Sequence, residues 1–366
     1  MKIDVHFHAV GSGNDLSDIN NDIYYSRLLR NSDNCFTNLL IKTVQNMVEK
    51  SLEKQIFGCK KKKTVTAEDY FGLAYKLLIS SKEIDGIVLL GLDAVYSSKT
   101  GDLNEKKTEL YVSNRFLNNK VMELNERLQK EADFQKANKR FYFGASVNPN
   151  RKDWESELDY VLSQTNAVLV KWIPSVQHIQ VADKKHKEFY DALSLYNMPL
   201  LCHVGPEYSF SEGRTQKSLD NFRYLENPLE RGVRIIAAHC STPVFPFVDK
   251  NEIEEFYTFM KNANRGKNVQ LWADTSALSL SSRIFMIPEI VKTFPSRWLI
   301  HGSDFPIPID GRPHIPWLTY KISLKKYIQI IKTKNLLDKD VRIKRAHGFS
   351  DIILENAEKV LRFSVK

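Results

Sequence analysis

Two histidines one residue apart open the chain, His6 and His8 in Lys2-Ile3-Asp4-Val5-His6-Phe7-His8. On a β-strand, alternation sends both imidazoles to one face. Two neutral imidazoles on one face form half of a metal site. Ile3, Val5 and Phe7 take the other face, so the segment reads as a buried strand whose polar side a divalent ion would satisfy. Hydrogen-bonded core histidines are the plainer alternative.

Three further ligand-type residues close short apolar runs. His203 ends Pro199-Leu200-Leu201-Cys202-His203, His239 ends Val233-Arg234-Ile235-Ile236-Ala237-Ala238-His239, and Asp304 ends Trp298-Leu299-Ile300-His301-Gly302-Ser303-Asp304. Each run meets a turn signal, at Gly205-Pro206, Thr242-Pro243 and Pro306. His301 has the opposite strand parity from Asp304 and is expected to face outward. His178, His186, His314 and His347 fall in loops or helices without partners and are expected at the surface.

The elements that would position these residues follow a regular pattern. Strand-like runs at 2–8, 84–92, 141–147, 167–173, 199–203, 233–239, 269–275 and 298–304 alternate with segments of helical spacing. Trp154, Leu158, Val161 and Leu162 follow Asp153, and Phe189, Ala192, Leu193 and Tyr196 follow Asp183. Pro228 opens a further helical turn that Gly232 closes. Eight strands so connected make a (β/α)8 TIM barrel, with active-site residues at the carboxyl ends of its strands. The expectation is a single domain over 1–366, with helical insertions after strands one and two, at about 9–83 and 94–140, and extra helices after 317. Val121, Leu124 and Leu128 give the second insertion a helical stripe. A lid, specificity, structural or homodimer-forming role stays open for both insertions.

Composition narrows the function classes. At 42% apolar and 27% charged residues in 366, the chain reads as an ordinary globular protein. It has neither a run long enough to span a membrane nor a leader before the first strand, so a cytoplasmic enzyme is expected. Cys35, Cys59, Cys202 and Cys240 show no metal-type spacing and read as free thiols. The net charge of +9 is spread through the chain, with Lys60 to Lys63 the densest cluster, and is not interleaved with aromatics as in a nucleic-acid surface.

The order of these residues resembles the amidohydrolase superfamily, and its wording is similar to the amidohydrolase-2 branch nearly end to end. The matching segments are Asp4-Val5-His6-Phe7-His8, Val170-Lys171-Trp172-Ile173-Pro174, Cys202-His203-Val204-Gly205, Ala238-His239-Cys240, His301-Gly302-Ser303-Asp304-Phe305-Pro306 and Glu355-Asn356-Ala357-Glu358-Lys359-Val360-Leu361. The resemblance implies one divalent ion, zinc first, held by His6, His8, His203 and Asp304, with His239 beside it for acid-base work. Mixed nitrogen and oxygen ligands with a position for water suit catalytic zinc. Asp304 would take a proton from the water, and His239 would polarise or protonate the substrate. Lys171 stays open between a carbamate bridging a second ion, which would recruit His239 as a ligand, and a free amine pairing with Asp304 or a substrate carboxylate. Arg214, Gln177 and Trp172 are candidates for contacting substrate, with core packing the default for Trp172.

The expected activity is metal-dependent hydrolysis of an amide, lactone or ester bond in a small, anionic molecule. A metal-dependent decarboxylase or hydratase is the alternative, since the resembled branch holds lyases on the same ligand set. A TatD-like nuclease suits the charge but expects a glutamate where Lys171 stands. A barrel kept only for binding would retain costly unpaired imidazoles.

Overall fold

The computed structural model describes residues 1–10, 23–25, 47–48, 50–56, 65–131, 138–245, 247–266, 268–309 and 322–363. Eight strands form one sheet in chain order: β1 (Ile3–His8), β2 (Gly86–Leu90), β3 (Arg140–Ala145), β4 (Ala167–Trp172), β5 (Leu200–Cys202), β6 (Ile235–Ala237), β7 (Leu271–Asp274) and β8 (Leu299–Ile300). Every neighbouring pair is parallel. The ends of the sheet meet: Val5 N donates to His301 O at 3.1 Å, Asp304 N to His6 O at 2.8 Å, and His8 N to Phe305 O at 2.9 Å. This closure pulls Asp304 against the first strand.

All eight strands contribute to one apolar cluster, which includes Ile3, Val5, Val88, Leu90, Tyr142, Leu169, Leu201, Ile236, Trp272 and Ile300. A cluster fed by every strand is the barrel interior. Ile3 and Val5 therefore point inward, whereas Phe7 packs in the outer core with the helices. Simple alternation along β1 put all three on one face. A register irregularity between Asp4 and Phe7 accounts for the difference. Such a bulge switches which face the following residues occupy, and it lets β1 carry apolar filling at one end and imidazoles at the other.

The helix layer follows the expected stripes except at Tyr196, which stands just past its helix and is exposed. Leu158, Val161 and Leu162 are buried from the helix Trp154–Gln164, and Phe189, Tyr190 and Leu193 from Lys187–Leu195. Gly232, at φ +80°, turns the chain after Glu226–Glu230, a conformation that favours glycine. In the second insertion, the helix Asn114–Lys130 buries Val121, Leu124 and Leu128. Its Asn125 clasps the Phe141 backbone through two hydrogen bonds of 2.9 Å. Of the first insertion, the helix Ala67–Ser80 starts on a reciprocal capping box between Thr66 and Asp69.

The expected last helix, 352–363, divides into Ile352–Glu355 and Ala357–Val360. Between them the buried Asn356 side chain donates to the carbonyls of Ser296 and Leu299. Ala357, Val360 and Leu361 then join the interior cluster and plug the amino-terminal end of the barrel. Among the described residues no helix is long and apolar enough to cross a membrane. Lys60 to Lys63, Cys35, Cys59 and His314 lie outside the described residues.

Candidate functional site

The polar side chains of β1 and the segment after β8 converge at the carboxyl mouth. His6 Nε2 and His8 Nε2 are 3.1 Å apart, and Asp304 Oδ1 lies 3.2 Å from each. These three residues form one group able to hold a metal ion. His6 is fully buried and Asp304 6% exposed, so the carboxylate and imidazoles meet largely away from solvent. Asp304 adopts φ +65° and His239 φ +58°. Neither is glycine, and left-handed backbone of this kind persists only where surrounding bonds hold it.

Asp304 is held by its backbone N–H on His6 O, and His239 through Asp274, the last residue of β7. Its Oδ1 accepts the backbone N–H of His239 at 2.8 Å and of Ser276 at 3.0 Å, together with the Ser276 hydroxyl. Its Oδ2 lies 2.7 Å from His6 Nδ1. A carboxylate accepts, so His6 carries its proton on Nδ1 and turns the Nε2 lone pair toward His8 and Asp304. The same logic extends outward. Ser276 spends its proton on Asp274, so its Oγ accepts from His239 Nδ1 at 2.7 Å. His239 Nε2 is then the acceptor for His203 Nδ1 at 3.1 Å, which leaves His203 Nε2 a bare lone pair. That atom is buried without a hydrogen-bond partner, and the nearest carboxylate oxygen is Glu207 Oε2 at 3.7 Å.

Burial depresses the imidazoles of His6, His203 and His239 well below their ordinary range, with Lys171 adding to the effect at each. All three are neutral. Burial alone would raise Asp304, but His6, His8 and Lys171 outweigh it and hold the carboxyl below its usual value. Lys171 points inward from β4 with Nζ 3.1 Å from His6 Nε2. Burial lowers its pKa, with Asp274 and Asp304 opposing the shift.

Two imidazole lone pairs and a carboxylate oxygen at mutual distances of 3.1–3.2 Å, with another uncommitted imidazole nitrogen on the cavity wall, are the donor chemistry of a zinc-type site. The residues present fit a divalent ion. Among the described residues a second group, His6 with His239 and Asp274, also has the spacing to hold an ion; His203 belongs to neither group and is tied to the site through His239.

Other candidates lie elsewhere. The Trp172 indole faces outward, donates to Val147 O at 2.7 Å and packs on Phe189 and Tyr190. Gln177 is fully buried and bonds Ile173, Asp93 and Ser146. Arg214 donates to Thr108 O at 2.9 Å, joining the loop after β5 to the second insertion. None of the three lines the cavity beside Asp304, whose walls include His203, Glu207, Tyr208, His239, Leu280 and Arg283. His301 faces the helix Leu336–Ala346, 3.7 Å from Asp340. His186 is buried rather than exposed, its ring beside Tyr190.

Sequence reasoning missed Asp274, Ser276, Glu207 and Arg283. Asp274 carried a signal, since it closes an apolar run as His203 does. The others sit in loops with no periodicity to mark them.

An uncharacterized TIM-barrel protein from Bordetella bronchiseptica superposes with a TM-score of 0.51 at 11% identity, over 97% of this chain and 99% of that one. The fold is a TIM barrel. A probable 2-pyrone-4,6-dicarboxylic acid hydrolase from Acinetobacter baumannii aligns at 14% identity and a TM-score of 0.46, over 95% and 100% of the two chains. The 5-carboxyvanillate decarboxylase from Sphingomonas paucimobilis aligns at 10% identity and a TM-score of 0.43, over 99% of each. At these identities the similarity is one of fold. No family model and no curated protein matches the sequence.

Proposed function

We propose that this barrel is a metal-dependent hydrolase of a small anionic amide, lactone or ester. The observation that carries the reading is the convergence of His6 Nε2, His8 Nε2 and Asp304 Oδ1 within 3.1–3.2 Å of one another. These three residues would hold one zinc-type ion, with the bare His203 Nε2 as a further donor on the cavity wall. When bound, such an ion lowers the pKa of its water toward ~7 and polarises a substrate oxygen.

The chain's own groups supply the rest. Asp304 Oδ2 is the atom placed to accept a proton from attacking water. It lies 3.9 Å from His239 Nδ1, a nitrogen that already carries its proton, so Asp304 itself hands the proton on to the leaving atom, with the neutral His239 held beside it. Ser276 and the Asp274 hub keep His239 in one tautomer and orientation. Lys171 serves as a free amine that steadies the negative charge of Asp304 and of substrate.

Elemental analysis of protein purified without added metal tests the site. One zinc per chain is expected, lost in His8→Ala and Asp304→Asn and retained in Lys171→Ala. A fall from two ions to one in Lys171→Ala would replace the free amine by a bridging carbamate. Turnover of carboxylate-bearing lactones, amides and esters in ¹⁸O-labelled water tests the reaction. Label in the product supports hydrolysis; carbon dioxide released without incorporated label would overturn it in favour of a decarboxylase.

A further inference from the structure

Arg283 is 3% exposed and lines the cavity beside Asp304, His203 and His239. A buried guanidinium is ordinarily paired, because desolvating a cation is costly unless a carboxylate or several hydrogen bonds replace water. This one is underused. Its Nε and Nη2 reach the carbonyls of Pro243 and Thr242, both at 3.4 Å, which is long for such bonds. Nη1 donates to nothing among the described residues, and none of their carboxylates forms an ion pair with the group. Asp304, Glu207, Asp249 and Asp274 oppose the burial only from a distance.

We propose that Arg283 is the carboxylate-recognition point of this cavity, taking a planar anionic group of the substrate while the reacting bond lies toward Asp304 and His239. This rests on the hydrolase reading for what happens at the other end of the molecule. The guanidinium offers donors in a planar fork, which matches a carboxylate in two parallel bonds. Glu207 and Asp304 share the cavity, and their charges favour at Arg283 a group with a single negative charge, as one carboxylate carries, over a phosphate that concentrates two charges on one group. The surrounding Tyr208, Val244, Leu280 and Ile307 give the cavity an apolar wall, so the ligand is a compact carboxylate with a hydrocarbon or ring body.

The test is calorimetric titration of the protein as purified with glutarate, with its neutral counterpart glutaramide and with inorganic phosphate. Wild type, Arg283→Met and Arg283→Lys are compared, with metal content and Tm measured on the same samples. Wild type is expected to bind glutarate at least tenfold tighter than glutaramide. Arg283→Met is expected to lose that preference by roughly tenfold to a hundredfold, with metal content unchanged, and Arg283→Lys to lose it in part, keeping the charge without the fork. A wild type that does not distinguish the two probes overturns the proposal, whether or not either variant folds. So does a folded Arg283→Met that keeps the preference, and tighter binding of phosphate than of glutarate overturns the carboxylate assignment. Failure of the metal reading looks different: wild type would carry no metal yet still show an Arg283-dependent preference for glutarate.

Discussion

Asp274 Oδ2 lies 2.7 Å from His6 Nδ1, at the far side of the imidazole from the nitrogen that faces His8 and Asp304. One carboxylate thereby sets the tautomer of the first strand's buried histidine and, through Oδ1, the backbone of His239. The two halves of the site are tied to a single residue of β7.

Asp274→Asn is the direct probe of that tie. The amide keeps an oxygen for the His239 and Ser276 N–H groups, which leaves an NH2 against His6 Nδ1, donor facing donor. The imidazole must then surrender its Nδ1 proton and protonate Nε2, the proposed ligand atom. Loss of such a supporting partner costs roughly 10- to 100-fold in metal affinity. Competition against a zinc chelator measures it, and unchanged affinity would remove Asp274 from the positioning role.

Gly302 makes a second prediction through shape alone. A Cβ there would stand 2.7 Å from His6 Cβ and 3.2 Å from that of Ser276, closer than side-chain carbons tolerate. Gly302→Ala must push the first strand and the loop after β7 apart. The expected cost is ~1–3 kcal/mol by chemical denaturation, together with weakened zinc binding in the same titration. A variant with wild-type metal affinity would show that the barrel seam yields without disturbing His6.

The eight strands were legible because each is a short apolar run bounded by turn residues, and the ligand-type residues were legible because they close those runs. What alternation could not supply was the bulge in β1, which puts Val5 and His6 both inside. Hydrophobicity is blind to one extra residue in a register. Asp274 was visible by position, yet a carboxylate at a strand end reads equally as a ligand or as a support for one, and only its 2.7 Å distance to Nδ1 decides. Arg283 lies nine residues beyond β7, where loop geometry rather than periodicity brings it to the cavity. Lys171 and Trp172 show alternation succeeding: one faces the site and the other the helix layer.

His186 ties stability to pH away from the site. Burial, with Lys185 adding and Asp183 opposing, lowers its pKa to about 4 from 6.5. The folded protein therefore keeps the ring neutral where the unfolded chain has already taken a proton. Its contribution is full above pH 6.5, declines as pH falls from there toward 4, and levels off below. The span is worth about 3 kcal/mol. Urea unfolding of wild type and His186→Phe at pH 7 and pH 4.5 isolates this from the other buried histidines. The variant should lose less stability between the two pH values, and parallel losses would assign the acid sensitivity elsewhere.

Trp172→Ala separates packing from ligand contact at a residue adjoining Lys171. The indole is fully buried, with ring centroids 5.2 Å from Phe189 and 5.9 Å from Tyr190. Its Nε1 also satisfies the carbonyl of Val147. Truncation opens a cavity between β4 and the helix Lys187–Leu195 and strands that carbonyl, at a cost of ~3–5 kcal/mol. Folded protein recovered at low temperature should keep its zinc and its glutarate affinity, because the ring touches neither. Equilibrium denaturation and calorimetry on one preparation make the comparison. Undiminished stability with lost glutarate binding would move Trp172 into the cavity wall and reverse the inward and outward faces assigned to β4.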